Sequence, residues 1–342
     1  MRSEMTQRRF PRGRTLAIAG AGLVVATGLA ASGCGGDSAT STTAPAPDAT
    51  RAVVTFSILD DVVRNVGGRC VTTTVLVGRD GDAHVFEPTP KDATALKDAD
   101  LVISNGLGFE PWLADLYASS GSKGTEVVAM AGIDPIEADH GHEGEDDHGH
   151  GGEEKAAGGD TDASEVDPHA WQDPRNMRAA VINVRNALVK ANPDCAAEIR
   201  ANAKRYDAEL AAMEEEIAQS VSSLPRDERI IITNHDSLGY FAKRFGFDVE
   251  TALGSVSTES ADPSAQQITK LADDIRKDGV KAIFVENIGG SNVIDRLARE
   301  AGVQIAKPLY TDALGAEGSD GATYLSMMRA NAKSITAGLS GS

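Results

Sequence analysis

Residues 193–222 read PDCAAEIRANAKRYDAELAAMEEEIAQSVS, and this stretch decides the architecture. It holds no glycine and is rich in Ala and Glu, both strong helix formers. Pro193 follows Asn192 and suits the first turn of a helix, where a missing N–H costs nothing. At 1.5 Å per residue such a helix is roughly 45 Å long, enough to run along two domains.

On either side the chain alternates strand and helix patterns. Before the helix, 52–59 and 71–77 are β-branched runs, the second ending in Gly78-Arg79-Asp80-Gly81. Residues 100–104 and 126–130 are further short apolar strands, with helical patterns at 89–97 and 112–119. Asp173-Pro174 opens a helix that reaches about 191. After the long helix, strands at 229–233, 282–286 and 304–306 are separated by helices at 238–245, 263–278 and 291–301, and 322–337 is a last helix. Such alternation implies parallel sheets covered on both faces. The expectation is an α/β protein of two lobes, each a mainly parallel sheet flanked by helices, joined by one long rigid helix. The lobes are placed at 51–192 and 224–342, with the connecting helix at 193–223. A length of 342 residues fits two domains. No internal sequence repeat links the halves beyond this shared alternation.

Composition excludes some partners. The chain carries 33 Lys+Arg against 51 Asp+Glu, a formal charge of −18, so nucleic acid is not expected. Aromatics at 4% leave little for a stacking platform, while 41% hydrophobic residues can fill a sizeable core.

The amino terminus reads as an export signal. Arg2, Arg8, Arg9, Arg12 and Arg14 form a basic segment, an apolar small-residue run follows, and Ala31-Ser32-Gly33-Cys34 closes it. The apolar run is short for a membrane span. Arg8-Arg9 before Phe10 leaves the twin-arginine route open beside the general one. Gly20-Ala21-Gly22 lies inside this segment and carries no dinucleotide-binding meaning. Cys after Ser-Gly resembles the lipobox of bacterial lipoproteins, which implies that Cys34 is lipidated and becomes the mature amino terminus. Losing 1–33 removes five Arg and Glu4, leaving 28 basic against 50 acidic residues, a charge of −22. Residues 34–50 then form a flexible lipidated tether, and the protein is anchored rather than spanning. Cys70 and Cys195 either pair in an oxidising compartment or stand as two buried thiols.

The seven histidines point to the chemistry. Four of them, His140, His142, His148 and His150, lie in a Gly/Asp/Glu insert at 137–166 that cannot bury a core. The other three occupy loops near strand ends or helix starts. They are His84 in Asp82-Ala83-His84, His169 in Asp167-Pro168-His169 and His235 in Thr233-Asn234-His235. His235 directly follows the apolar strand Ile230-Ile231-Ile232-Thr233, at the edge where open parallel sheets bind ligands. Three imidazoles suit a borderline metal such as zinc, and one carboxylate completes a tetrahedron. Asp312, after the last strand of the second unit, is a natural fourth ligand.

Three segments then carry a resemblance: Asp82-Ala83-His84-Val85-Phe86-Glu87-Pro88-Thr89-Pro90, Asp167-Pro168-His169-Ala170-Trp171-Gln172-Asp173-Pro174-Arg175-Asn176 and His235-Asp236-Ser237-Leu238-Gly239-Tyr240-Phe241. Ser257-Thr258-Glu259, Asp262-Pro263-Ser264-Ala265 and Phe284-Val285-Glu286 add to it. Together they resemble the solute-binding proteins of zinc and manganese ABC transporters, of the zinc-uptake type, over about 51–337. The resemblance implies a cluster A-I fold, with His84 and His169 from the first lobe and His235 and Asp312 from the second. A Zn2+ ion between the lobes, Mn2+ being the alternative, is then delivered to the transporter's membrane permease. Manganese-selective relatives commonly carry Glu in the third position, where this chain has His235, and nitrogen in place of oxygen moves the site toward zinc. The His-rich insert resembles the variable loop of zinc-type members, and its two readings are weak auxiliary metal capture and a solvated spacer. A monomer is expected.

A secreted zinc hydrolase is the rival class. No His-Glu-x-x-His occurs, since His142-Glu143 continues Gly144-Glu145-Asp146, and no nucleophile elbow or phosphate loop is present. Catalytic zinc keeps a position open for water, whereas four protein ligands fill the sphere. An enzyme is therefore not expected. A metal-carrying surface adhesin is a third reading.

Overall fold

The computed structural model describes residues 44–138, 166–252, 258, 263–288 and 291–341. The expected signal with Cys34, and the insert's His140, His142, His148 and His150, lie outside the described residues.

The first sheet is built on β1 (Thr50–Phe56), which is buried at every position except Arg51. Such an apolar run has no solvent face and must be central. It is followed by α1 (Ser57–Gly67), β2 (Val71–Val77), α2 (Pro90–Asp98), β3 (Leu101–Ser104), α3 (Leu113–Ser120) and β4 (Thr125–Val128). All pairings are parallel, in the order β2-β1-β3-β4, with Val54 opposite both Val75 and Ile103. Thr89 and Asp92 form a capping box at the start of α2, with Pro90 in its first turn. That cap fixes where the preceding loop, which holds His84, must end.

The second lobe contains β5 (Ile230–Thr233), α6 (Gly239–Phe245), β6 (Asp248–Thr251), α7 (Ala265–Asp278), β7 (Ala282–Ile283), α8 (Ser291–Ala301), β8 (Gln304–Ile305) and α9 (Tyr324–Ser340). β5 pairs with β6 and β7 with β8, again in parallel. The Phe284 N–H donates to the Ile232 carbonyl (2.9 Å), which lays β7 beside β5. The spatial order 6-5-7-8 therefore repeats the 2-1-3-4 of the first lobe.

Between the lobes run α4 (Pro174–Ala191), capped by the Asp173 side chain, and α5 (Ala196–Val221). The buried residues of α5 are Ile199, Ala203, Tyr206, Leu210, Met213, Ile217 and Val221, a stripe with steps of three and four, with Glu214 buried beside it. It packs against α1 and α4 on one side and α9 on the other, so the connecting helix belongs to both lobes. Each fully buried Leu, Ile or Met on that stripe contributes about 1.5–3 kcal/mol, so packing rather than propensity holds the helix.

Three expectations shift. The strand expected at 52–59 stops at Phe56, and Ser57 begins α1, whose buried Ile58, Leu59, Val62, Val63 and Val66 follow a helical spacing. The helix expected from Pro193 starts at Ala196, because Pro193–Cys195 forms a 3-10 turn closed by Cys195 N–H on Asn192 Oδ1 (3.3 Å). Strand β6 was not expected at all. The open question over the cysteines is answered: Cys70 and Cys195 form a disulfide that ties the end of α1 to the foot of α5. The insert expected at 137–166 has its two ends joined, since Glu137 and Val166 form an antiparallel bridge.

Candidate metal centre

Every parallel strand delivers the chain to the same edge of its sheet, and the loops leaving that edge meet between the lobes. His84 lies in the loop after β2, and His169 opens the 3-10 turn before α4. His235 follows β5, and Asp312 follows the parallel bridge between Glu286 and Leu309 that prolongs β7 and β8. His84 is 8% exposed and the other three are fully buried. One ligand-type atom from each lies within 4.8 Å of all the others. His84 Nε2 is 3.3 Å from His169 Nε2 and 3.1 Å from Asp312 Oδ2. Asp312 Oδ2 is also 3.2 Å from His235 Nε2 and 3.6 Å from His169 Nε2. Two wide surface grooves among the described residues, of about 790 and 720 Å³, contain none of the four.

A layer of carboxylates and aromatics sets these side chains. Asp167 Oδ1 accepts the His169 backbone N–H and lies 2.8 Å from its ring Nδ1, leaving Nε2 aimed at the centre. Asp82 Oδ1 accepts the His84 N–H (2.9 Å). Glu286 accepts the N–H groups of Asn234 and His235 and the Ser237 hydroxyl. Its Oε2 is 2.8 Å from His235 Nδ1, though not aligned as a hydrogen bond. Trp171 Nε1 and Gln172 Nε2 both donate to the Thr311 carbonyl (2.9 Å each), fixing the residue before Asp312. Phe109 packs edge-on to His84 at 4.9 Å and against Trp171 at 4.6 Å, so aromatic rings back the cluster.

The chain matches the family model described as zinc-uptake complex component A, periplasmic, over residues 52–338. The chain belongs to this family. A manganese-binding lipoprotein, MntA of Halalkalibacterium halodurans, is 31% identical over 319 residues, covering 93% of this chain and 97% of its own. An iron-binding protein of Yersinia pestis, YfeA, is 26% identical over 288 residues, 84% of this chain and 86% of its own. Among solved structures, the periplasmic zinc-binding protein TroA of Treponema pallidum superposes with a TM-score of 0.74 at 26% identity, covering 85% of this chain and 99% of its own. As a component A protein the chain is a metal-binding solute-binding protein of an ABC transporter and not an enzyme.

The electrostatics of this component A site favour a cation. Burial raises the cost of ionising Asp312, yet His169 and His235 outweigh it and hold the carboxyl well below its usual range. Burial likewise works against protonated His169, but Asp312 and then Asp167 overcome it and carry the imidazole up to about 9. Burial also opposes a charged His235, and Glu286 and Asp312 overcome it, raising it well above normal. Asp312 Oδ1 has no hydrogen-bond partner although the residue is fully buried. A buried carboxylate oxygen with nothing to accept costs about 1–3 kcal/mol, which a bound cation relieves. The residues therefore fit a divalent metal.

The supporting carboxylates Asp82, Asp167 and Glu286 lie inside the motif segments, but no sequence pattern assigns all three a role. Two carried a signal, the Asp-x-His spacing in Asp82-Ala83-His84 and Asp167-Pro168-His169. Glu286 carried none, because 51 residues separate it from His235.

Proposed function

We propose that this protein captures Zn2+ between its lobes through His84, His169, His235 and Asp312 and hands it to the membrane permease of its ABC transporter. The carrying observation is the donor set, three imidazole nitrogens and one carboxylate. Zn–N bonds of 2.0–2.1 Å in a tetrahedron place ligand atoms about 3.3 Å apart. The separations of 3.1, 3.2, 3.3 and 3.6 Å lie around that value. The lobes divide at 51–192 and 224–342, and each supplies two ligands. The protein is exported as a monomer and anchored through Cys34, and the Cys70–Cys195 disulfide supports an oxidising compartment. His140, His142, His148 and His150 of the insert collect metal weakly beside the main site.

Manganese is the second reading. The unpartnered Asp312 Oδ1 offers a second oxygen that a metal of higher coordination number takes. Titration of the chain lacking residues 1–34 with Zn2+ and Mn2+, then of Asp312→Ala and His169→Ala, separates the two. One tight Zn2+ per chain, with Mn2+ at least about tenfold weaker and both variants largely inactive, is expected. Mn2+ binding tighter than Zn2+ reverses the assignment. Tight binding that survives joint loss of His84, His169 and His235 removes the site.

A further inference from the structure

Asn287, next to Glu286, uses every hydrogen-bonding group of its side chain. Oδ1 accepts the Thr311 N–H (3.1 Å), and Nδ2 donates to the Ala313 carbonyl (3.1 Å) and to Asp80 Oδ1 (3.1 Å). Thr311 and Ala313 flank Asp312, so one amide staples that ligand from both sides. The third bond crosses the cleft. Asp80 lies in the β2–α2 loop, four residues before His84, and is one of only two non-glycine residues at positive φ among the described residues, at 53°. Strained backbone of this kind persists where the surroundings over-determine it, and here they do. The Asp80 N–H donates to the Leu314 carbonyl (3.0 Å), and Arg79 Nη1 donates to the carbonyls of Gly315 (2.7 Å) and Ala322 (2.8 Å). The Leu314 N–H in turn donates to Ser57 Oγ (3.0 Å).

We infer that Asp80 and Asn287 form a latch between the two lobes that sets how long a captured ion stays. This rests on the proposed reading of the cleft as a divalent-metal site. An ion gripped by His84 and His169 on one side and His235 and Asp312 on the other leaves only when those pairs separate, and separation breaks the Asp80–Asn287 bond along with the Asp80 N–H bond to Leu314 and the Arg79 bonds to Gly315 and Ala322. The Asp80–Asn287 bond is solvent-exposed while the staple on Thr311 and Ala313 is partly buried, so the latch opens against water without dismantling the ligand loop. Both are positioning residues, since neither reaches the ion.

The test is stopped-flow release of Zn2+ from the full chain into excess chelator, with Trp171 fluorescence as the signal. Asp80→Ala is expected to speed release about tenfold, and Asn287→Ala about ten- to a hundredfold, with association rates little changed. Asp80→Asn keeps an Oδ1 acceptor for Asn287 Nδ2 and leaves the staple on Thr311 and Ala313 untouched, so it is expected to release Zn2+ within about twofold of the parent. Release from Asp80→Ala within twofold of the parent, or release from Asp80→Asn as fast as from Asp80→Ala, overturns the latch. Hydrogen exchange at residues 311–314 of the metal-free protein reads the same contact without an ion. Faster exchange in Asp80→Ala supports it, and unchanged exchange rejects it. A parent chain that holds neither Zn2+ nor Mn2+ rejects the cleft reading instead, and the exchange result still decides on the contact.

Discussion

His169 concentrates the chemistry of the site in one side chain. Its Nδ1 faces Asp167 and its Nε2 faces Asp312, so a positive charge on the ring is held from both ends. A metal ion competes for the same lone pair that the proton occupies. Below about 9 the empty site keeps that proton and the loaded site cannot, so the metal-free state binds more protons. The sign follows: affinity rises with pH, by about tenfold per unit for each proton displaced, until the pH passes the imidazole's own value. Zn2+ titrations between pH 6 and 8, run in buffers of different ionisation heat, are expected to show at least one proton released per ion bound. An affinity flat across that range, with no proton release, contradicts the balance of charges around Asp312. Asp167→Asn removes one of the two carboxylates holding that charge, and the pH dependence is expected to flatten while affinity at neutral pH falls about ten- to a hundredfold.

At the scale of elements, the long helix was legible because its composition leaves no other structure open to it. Its stripe of Ile199, Ala203, Tyr206, Leu210, Met213, Ile217 and Val221 carries the same information twice, in spacing and in helix propensity. α1 was not legible because its start, Ser57-Ile58-Leu59, continues an apolar β-branched strand and Val62, Val63 and Val66 are β-branched as well; only the burial spacing marks the helix. β6 was hidden for the opposite reason, since Asp248-Val249-Glu250-Thr251 is a short, mostly polar edge strand whose pairing with β5 supplies what its side chains do not signal. The sequence offered the disulfide as one of two alternatives and could not decide it, because pairing across 125 residues depends on where α5 starts. Its position gives it a definite task, pinning the foot of α5 to the first lobe while the far end of the helix packs on α9. Replacing Cys70 and Cys195 together by Ala is expected to lower stability by about 2–4 kcal/mol, read by denaturant unfolding, with metal affinity little changed because neither cysteine is near a ligand. A stability loss below about 0.5 kcal/mol contradicts that role, as does a loss of affinity matching the loss of stability.

Across the whole molecule, the four side chains that meet in the cleft could be picked out in the sequence because each follows a strand or opens a helix at the ligand-binding edge of a parallel sheet, a placement that strand–helix alternation implies. What holds them could not, because Glu286, Asn287 and the Thr311 carbonyl act across tens of residues and are ordinary polar groups until the chain folds. The same distinction bears on the His-rich insert, which adds four histidines and much of the local acidity to a chain that already has a complete donor set. Its ends are closed by the Glu137–Val166 bridge and by the Asp167 N–H on the Ile136 carbonyl (3.0 Å), and Tyr240 donates to the Asp167 carbonyl (3.1 Å). The backbone on both sides of the insert is therefore fixed without it, and Asp167 keeps its place beside His169. Replacing 139–165 by a short Gly/Ser turn is expected to leave the tight Zn2+ site within about twofold of the parent, because loop length changes closure entropy only slowly. On the proposed reading of the insert as a metal collector, zinc bound beyond one equivalent is expected to disappear, and uptake to slow only when zinc is scarce. Titration past one equivalent, followed by Trp171 fluorescence and by total zinc bound, separates the two classes. Loss of the tight site in this variant places the insert within the main coordination sphere and removes the division between capture and collection.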